Sequence, residues 1–325
     1  MTEGTIGGYV ASSPALQGDA RTAIAELCGQ MARAGVAIAR EVRRAAITGR
    51  TGYAGGQNVT GDRQKKLDVV GNDLVLDLFR KSPHVCAIVS EEDEQPVPTA
   101  AAGGAWVLST DPIDGSSNTD IDGAVGTIFS FSHRREGGAM PRGADIAAAG
   151  YVLYGPSTLF AVSAGAGAAA FTFDEEKKTW VLTHPALRCP ERGRTFSANL
   201  GRAREWHPHL QAYLGYLTET DKATQRPYSL RYVGALVADL HRCLIEGGIY
   251  FYPADPKNAQ GKLRLMYECL PLAYLTEQAG GRASDGTKRL LDVEAASAHA
   301  RSPFVVGSAA EVDLYDTFMR TGKPD

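Results

Sequence analysis

Asp111-Pro112-Ile113-Asp114-Gly115-Ser116-Ser117-Asn118 sets two carboxylates three residues apart and follows them at once with small hydrogen-bonding residues. The apolar run before it, Ala105-Trp106-Val107-Leu108-Ser109, reads as a buried strand. The carboxylates therefore fall at a strand's C-terminal end, where open α/β sheets place their ligands. Asp-Pro and Asp-Gly are also common turn dipeptides, so the octapeptide taken alone fits an Asp-capped turn as well. The residues around it decide between the two.

Acidic residues recur at two further junctions. Asp62 and Asp68 flank Arg63-Gln64-Lys65-Lys66-Leu67, and Glu91 and Glu92 follow the strand-like Val85-Cys86-Ala87-Ile88-Val89. Carboxylates gathered in this way repel one another unless cations lie between them. Hard oxygen donors suit magnesium or manganese, which bind through a few carboxylates together with substrate phosphate oxygens. The backbone N–H groups of Gly115, Ser116 and Ser117, at the start of a helix, would receive phosphate oxygens. Two or more cations beside such a cradle polarise a phosphoryl group and acidify a bound water, which favours hydrolysis over transfer. Asp62, Asp68 and Glu92 are the candidate general bases.

The chain's 325 residues, 44% of them hydrophobic and 22% charged, allow about two domains or one large layered unit. A net charge of -3, with no basic stretch, argues against nucleic-acid binding. The longest apolar region, from Tyr151 to Phe173, is broken by Pro156 and several glycines, so no membrane span is expected. Five scattered cysteines without CxxC spacing suggest neither a zinc site nor a disulfide framework. With no secretory or peroxisomal signal, a cytoplasmic location is expected by default.

Helical spacing of Ile24, Leu27, Met31, Ile38 and Val42 predicts a helix after Asp19, with Gly35 at a close packing point. A Gly-rich linker, Thr51 to Gly56, precedes a second helical pattern through Leu67, Val70, Leu74 and Leu78. Strand signals follow at Val125–Ser132, Ala147–Tyr154, Leu159–Ser163, Ala170–Phe173 and Trp180–Leu182. The polar stretch Thr183–Arg194 is the expected boundary between an N-terminal α/β domain, 1–187, and a C-terminal α/β domain, 188–325. Helices are expected at Val233–Ile245, Lys262–Gln278 and Ala309–Met319, and strands at Ile249–Tyr252 and Phe304–Val306.

Together with Asn58-Val59-Thr60-Gly61-Asp62 and Lys65-Lys66-Leu67-Asp68, the octapeptide resembles the fructose-1,6-bisphosphatase and sedoheptulose-1,7-bisphosphatase family. The resemblance is renewed at Arg231-Tyr232-Val233-Gly234, Gly247 to Ala254, Gly261 to Glu268 and Glu277 to Gly281, and so covers nearly all of the chain after Ala20. It implies the layered αβαβα sugar-phosphatase fold and a homo-oligomer, dimer or tetramer, acting on a small sugar bisphosphate. It also implies that Glu91, Glu92, Asp111, Asp114, Glu268 and the carbonyl of Ile113 are metal ligands, and that Asp62 and Asp68 help to activate water. Gly115, Ser116 and Ser117 would take the 1-phosphate. Asn199, Tyr232, Tyr252 and Lys262 would hold the sugar and its distal phosphate, with Arg231 reaching across a subunit interface. On this reading an Asp114→Ala change abolishes turnover and leaves the fold intact.

Three departures from the fructose enzymes bear on substrate and control. Arg202, in Phe196-Ser197-Ala198-Asn199-Leu200-Gly201-Arg202, stands where fructose bisphosphatases have a tyrosine, and the sedoheptulose branch resembles this chain in its arginine. A planar, charged guanidinium suits a phosphate one carbon farther out, so sedoheptulose 1,7-bisphosphate is the expected substrate. Fructose 1,6-bisphosphate, or both sugars, is the alternative, because Gly247 to Ala254 and Asn58 to Asp68 look closer to the fructose enzymes. Asp19-Ala20-Arg21-Thr22, Ala105 and His133 lack the residues that hold AMP in inhibited relatives, so no AMP control is expected. The loop Thr51 to Asn58 has no cysteine, and thioredoxin control by that route is not expected either. An inositol-type monophosphatase shares the acidic core but needs no distal pocket, and a silent metal-binding protein would have lost an acidic ligand.

Overall fold

The computed structural model describes residues 5–57 and 63–324. Asp62 and the stretch Asn58 to Gly61 lie outside the described residues, so the role expected of Asp62 has no structural counterpart below. The N-terminal helices are α1 (Ile6–Ala11), α2 (Gly18–Arg43) and, after β1 (Tyr53–Gln57), which pairs antiparallel with β2 (Arg63–Lys65), α3 (Lys66–Phe79). The expected Gly-rich linker is thus partly strand, and the cap of α2 is Gln17, with Asp19 in its first turn.

An eight-stranded sheet follows: β3 (Val85–Ser90), β4 (Val97–Pro98), β5 (Trp106–Asp114), β6 (Val125–His133), β7 (Ile146–Tyr154), β8 (Thr158–Ser163), β9 (Ala168–Asp174) and β10 (Thr179–Leu187). Its spatial order is β10-β9-β8-β7-β6-β5-β3-β4. Only β3 and β5 pair in parallel; every other neighbouring pair is antiparallel. The last strand runs to Leu187, into the polar stretch expected to be linker. Thr183 explains why: its hydroxyl meets that of Thr172 on β9 at 3.0 Å and donates to the Ala170 carbonyl, so polar residues still satisfy an edge strand.

Alternation along the inner strands divides the core in two. Phe129, Phe131, Val152 and Phe160 face Ile24, Leu27, Met31 and Ile38 of α2, together with Val75 and Phe79 of α3. Gly35 allows this approach, because a Cβ there would meet Val152 Cγ2 at 3.0 Å. On the opposite face, Ile128, Tyr151 and Ala161 meet α5 (Leu236–Glu246) through Val237 and Leu240, and α6 (Leu270–Gln278) through Leu272 and Leu275.

Beyond these helices lies a five-stranded sheet of β11 (Thr195–Ser197), β12 (Ser229–Leu230), β13 (Ile249–Tyr252), β15 (Arg282–Ser284) and β17 (Phe304–Gly307), ordered β12-β11-β13-β17-β15. Tyr250, Phe304 and Val306 point inward, while Phe196, Ile249, Phe251 and Val305 pack against α4 (Pro208–Thr218) and α7 (Ala309–Thr321). Helices, sheet, helices, sheet and helices therefore stack in five layers. A small ribbon, β14 (Leu263–Arg264) with β16 (Arg301–Ser302), closes one end. The helix expected from Lys262 begins only at Leu270, after this strand and a π-helical turn at Leu265–Cys269. Among the described residues no helix is long and apolar enough to cross a membrane.

Candidate active site

The parallel pair β3 and β5 positions the acidic residues. Ser90 stands opposite Thr110, so Glu91 and Glu92 leave β3 beside Asp111, at the sheet's strand spacing of about 4.8 Å. The strand β5 continues through the octapeptide to Asp114, which places Asp111 and Asp114 within the strand rather than beyond it. The β5–β6 register slips between Asp111 and Asp114, a bulge of the kind that re-aims side chains near active sites. Pro112 O accepts the Thr127 hydroxyl at 2.7 Å, and Asp111 Oδ1 accepts the Ile113 N–H at 3.0 Å. From the other side, Gly71 of α3 packs so closely on Ile113 that a Cβ there would lie 2.8 Å from Ile113 Cγ1.

Glu268 arrives from more than 150 residues away in sequence. The wide π turn carries it inward, and carboxylate oxygens of Asp111, Asp114 and Glu268, all three buried, lie within 4.8 Å of one another. Such turns recur at functional sites. Glu268 also accepts the Arg264 N–H, while Asp114 accepts the N–H groups of Leu236 (3.1 Å) and Val237 (2.7 Å) in the first turn of α5. Asp114 thus anchors a helix as well as facing the cluster. Asp114→Ala therefore strips two buried amides of their acceptor, at about 1–3 kcal/mol each, so the variant is expected to keep its fold at a lower Tm.

Burial, the largest cause in each case, lifts every carboxyl of the group above the ordinary carboxylate range. Glu91 is pushed up to about 8, with Glu268 and Asp68 adding repulsion and Arg264 opposing it. Glu92 is also pushed to about 8, with Glu91 and Asp68 adding to burial and the Gln64 amide opposing. Glu268 rises to about 7, and Asp68 and Asp114 to about 6, each restrained by backbone N–H donors. Asp111 is raised well above its usual value by burial and by Glu91, Asp114, Glu268 and Glu92. Acids so crowded, with oxygen donors only, have the composition and spacing of a site for hard divalent cations.

Beside them Gly115 has φ +76°, a left-handed conformation open to glycine, and opens a short 3-10 turn, Ser116–Ile121, in place of the expected helix. A Cβ at Gly115 would meet the Ala235 Cβ at 2.5 Å, so this turn and the start of α5 pack without clearance. A cavity of about 510 Å³ brings together Asp68, Glu91, Glu92, Ile113, Asp114 and Glu268 with Gly115, Ser116, Ser117, Asn199, Tyr232, Tyr252 and Lys262. Asp111 sits behind its wall, 2% exposed. Arg202 lines an adjoining cavity of about 430 Å³, which shares Asn199, Tyr252, Lys262 and Arg264 with the first. There it faces Asp255 Oδ1 at 3.8 Å. Arg231 lines neither cavity; it is exposed, and its guanidinium donates to the Leu230 carbonyl.

Three basic groups had no role in the sequence reading. Arg264 lies in both cavities, and Arg301, next to it across the β14–β16 ribbon, lies in the second. Lys65 is buried, pairs with Asp120, and holds its ammonium 4.1 Å from the Tyr53 ring centroid. Lys65 and Arg264 stand inside motifs already marked by the resemblance, which is the signal that could have found them; Arg301 carries none. One end of the site is therefore acidic and the other basic, as a substrate with a reacting phosphate at metal ions and a second phosphate at fixed cations requires.

Hydrolysis of a phosphate ester assisted by divalent metal is the chemistry that this layered fold and its two-ended cleft define. The family model described as the N-terminal domain of fructose-1-6-bisphosphatase matches residues 5–185, and the model of the C-terminal domain matches residues 189–320. Class 1 fructose-1,6-bisphosphatases from Acaryochloris marina and Synechocystis sp. are 47% and 41% identical to this chain over 308 and 310 residues. These alignments span 92% of both chains in the first case, and 92% of this chain and 88% of the relative in the second. The crystal structure of Leishmania major fructose-1,6-bisphosphatase in holo form superposes with a TM-score of 0.91 at 34% identity, covering 98% of this chain and all of the other. The chain belongs to the fructose-1,6-bisphosphatase family and is a sugar-bisphosphate phosphatase, a metal-dependent hydrolase.

Proposed function

We propose that this enzyme removes the 1-phosphate of fructose 1,6-bisphosphate, using two or more magnesium or manganese ions per site. The observation that carries this reading is the convergence of the buried Asp111, Asp114 and Glu268 beside Gly115-Ser116-Ser117, at the acidic end of a cleft whose other end is basic. Fructose takes precedence over the sedoheptulose substrate expected from sequence because the similar class 1 relatives are named fructose-1,6-bisphosphatases. The metal ions, when bound, supply Lewis-acid stabilisation of the phosphoryl charge and an acidified water.

The chain's own residues orient the substrate and manage protons. Glu91, Glu92, Asp111, Asp114, Glu268 and the Ile113 carbonyl are the proposed ligands. The N–H groups of Gly115, Ser116 and Ser117 receive the 1-phosphate, and Asp68 or Glu92 accepts the water proton. Asn199, Tyr232, Tyr252 and Lys262 hold the sugar and the distal phosphate. Lys262 Nζ already lies 5.9 Å from the Tyr252 ring centroid. We assign most of the metal ligands to an N-terminal α/β domain, 1–187, and the sugar-phosphate contacts, together with Glu268, to a C-terminal α/β domain, 188–325. In a dimer or tetramer the exposed Arg231 would serve a neighbouring cleft, and the partly exposed Leu230 and Val233 around it suit such a contact.

The second cavity favours a further reading, activity on sedoheptulose 1,7-bisphosphate. Arg202 and Arg301 line this cavity together with Lys262, and a phosphate one carbon farther out would draw on their guanidinium groups. Phosphate release from the two sugars, compared side by side with magnesium and with EDTA, tests both readings. Fructose 1,6-bisphosphate is expected to give the higher kcat/KM. Arg202→Ala is expected to raise KM for the seven-carbon sugar by about tenfold and for the six-carbon sugar by less. Equal KM changes for both would remove Arg202 as a discriminating donor, and strong turnover of inositol phosphates would replace the whole reading.

AMP at physiological levels is expected to leave the rate unchanged. His133, which takes the place of an arginine in inhibited relatives, lies against Trp106 with ring centroids 4.0 Å apart and the planes tilted by 37°. Inhibition titrated at saturating substrate checks this, and a half-inhibiting concentration in the micromolar range would contradict it.

A further inference from the structure

Helix α5 carries a buried carboxylate that the proposed chemistry does not use. Asp239 is 2% exposed and accepts three hydrogen bonds: from Val233 N–H at 2.9 Å, from Gly234 N–H at 3.0 Å and from the Ser197 hydroxyl at 2.8 Å. Capping of its own helix does not account for these bonds. The first amides of α5, those of Leu236 and Val237, are taken by Asp114. Asp239 instead reaches backward to amides that precede the helix cap, Ala235.

The three donors belong to two separate segments of the cleft wall. Val233 and Gly234 follow Tyr232, and their two successive N–H groups converge on the one Asp239 carboxylate, with Gly234 at φ +81° where the chain turns into α5. Ser197 ends β11, two residues before Asn199. Tyr232, Gly234 and Asn199 all line the larger cavity. On its other side the Val233 carbonyl accepts the Asn118 amide at 3.2 Å, which joins the loop to the turn that bears Ser116 and Ser117. An ionised acceptor bonded to several neutral donors holds geometry more firmly than a neutral one, and leaving any of these buried donors unsatisfied is costly.

We infer that Asp239 is a positioning residue for the sugar-binding half of the cleft, clamping the Tyr232 loop to the end of β11 so that Tyr232 and Asn199 address the same ligand. This rests on the reading of the cleft as a ketose-bisphosphate site. None of the three hydrogen bonds of Asp239 goes to Gly115-Ser116-Ser117 or to a proposed metal ligand, so its loss is expected to weaken binding of the distal half of the substrate more than the chemical step.

The test compares Asp239→Asn, the milder Ser197→Ala and a control, Leu240→Ala, which opens the core under the same helix and removes none of the three hydrogen bonds to Asp239. For each, kcat and KM for fructose 1,6-bisphosphate, the dissociation constant of fructose 6-phosphate, inhibition by inorganic phosphate and Tm are measured with magnesium present. Asp239→Asn is expected to raise KM and the fructose 6-phosphate dissociation constant by about tenfold, with kcat held within about twofold and phosphate inhibition unchanged. Ser197→Ala shifts KM in the same direction by less, and Leu240→Ala lowers Tm without moving KM. An unchanged KM in Asp239→Asn, a kcat loss at constant KM, or an equal KM shift in Leu240→Ala overturns the inference. Should Asp239→Asn fail to fold, an unchanged KM in Ser197→Ala overturns it. Failure of the unmodified enzyme to hydrolyse either ketose bisphosphate would instead defeat the functional reading, a result read before any variant is compared.

Discussion

Asp111→Asn is expected to lower kcat by at least about a hundredfold while the metal-free protein remains as stable as the parent or becomes more so. Asn keeps the Oδ1 that accepts the Ile113 N–H, so the local backbone retains its bond. It removes one charge from a group in which Glu91, Asp114, Glu268 and Glu92 all repel the Asp111 carboxylate. The two effects separate catalysis from folding. Steady-state rates with magnesium, set beside thermal unfolding in EDTA, measure them. Asp114→Ala provides the contrast, since it loses activity and also frees the Leu236 and Val237 amides, so its Tm falls. Near-normal turnover in Asp111→Asn would remove that residue from the proposed ligand set.

Metal removal has a second large effect, and its sign follows from the same crowding. A carboxyl whose pKa is raised on folding binds more protons in the folded than in the unfolded chain, so stability falls as pH rises from the unfolded toward the folded value. Glu91 and Glu92 at about 8 and Glu268 at about 7 therefore destabilise the metal-free fold progressively up to about pH 8. His241 works the other way. Burial lowers it to about 4, so it adds stability as pH rises toward the value of about 6.5 for an unfolded histidine, and nothing above that. The clean window is consequently pH 6.5 to 8. In EDTA, Tm is expected to fall across it, and magnesium is expected to raise Tm more at pH 8 than at pH 6.5, because bound cations offset the repulsion. A metal-free Tm that rises across this window, or a magnesium gain that does not depend on pH, would show that the carboxylates do not share a cation site.

Local spacing made much of the acidic end legible. Asp111 and Asp114 lie on one strand end, and Glu91 and Glu92 follow another, so each pair needs only a few residues of chain to mark it. Asp68 could be placed for the same reason, in the first turn of α3, where it accepts the Lys65 N–H at 2.7 Å. Periodicity also announced α2, α5, α7 and most strands of the large sheet, because a 26-residue amphipathic helix or an alternating strand carries its pattern in its own residues. The short α1 and α4 were not anticipated. Ile6–Ala11 has two glycines in six residues, and neither helix repeats an apolar stripe long enough to stand out.

What the residues determined by themselves was the chemistry available: oxygen donors in clusters, a glycine-serine turn beside them, and a length of chain able to bury layered sheets. Tertiary structure decided which of these groups meet. That β3 and β5 run side by side in parallel, that a π turn delivers Glu268 to Asp111 and Asp114, and that Arg202 faces a neighbouring cavity are relations between distant segments. No local pattern encodes them, since they arise from packing of the two sheets on the shared helices α5 and α6. Asp239 is the clearest case. In sequence it is one polar residue in an amphipathic helix, and only the fold brings Val233, Gly234 and Ser197 around it, where burial makes their hydrogen bonds decisive.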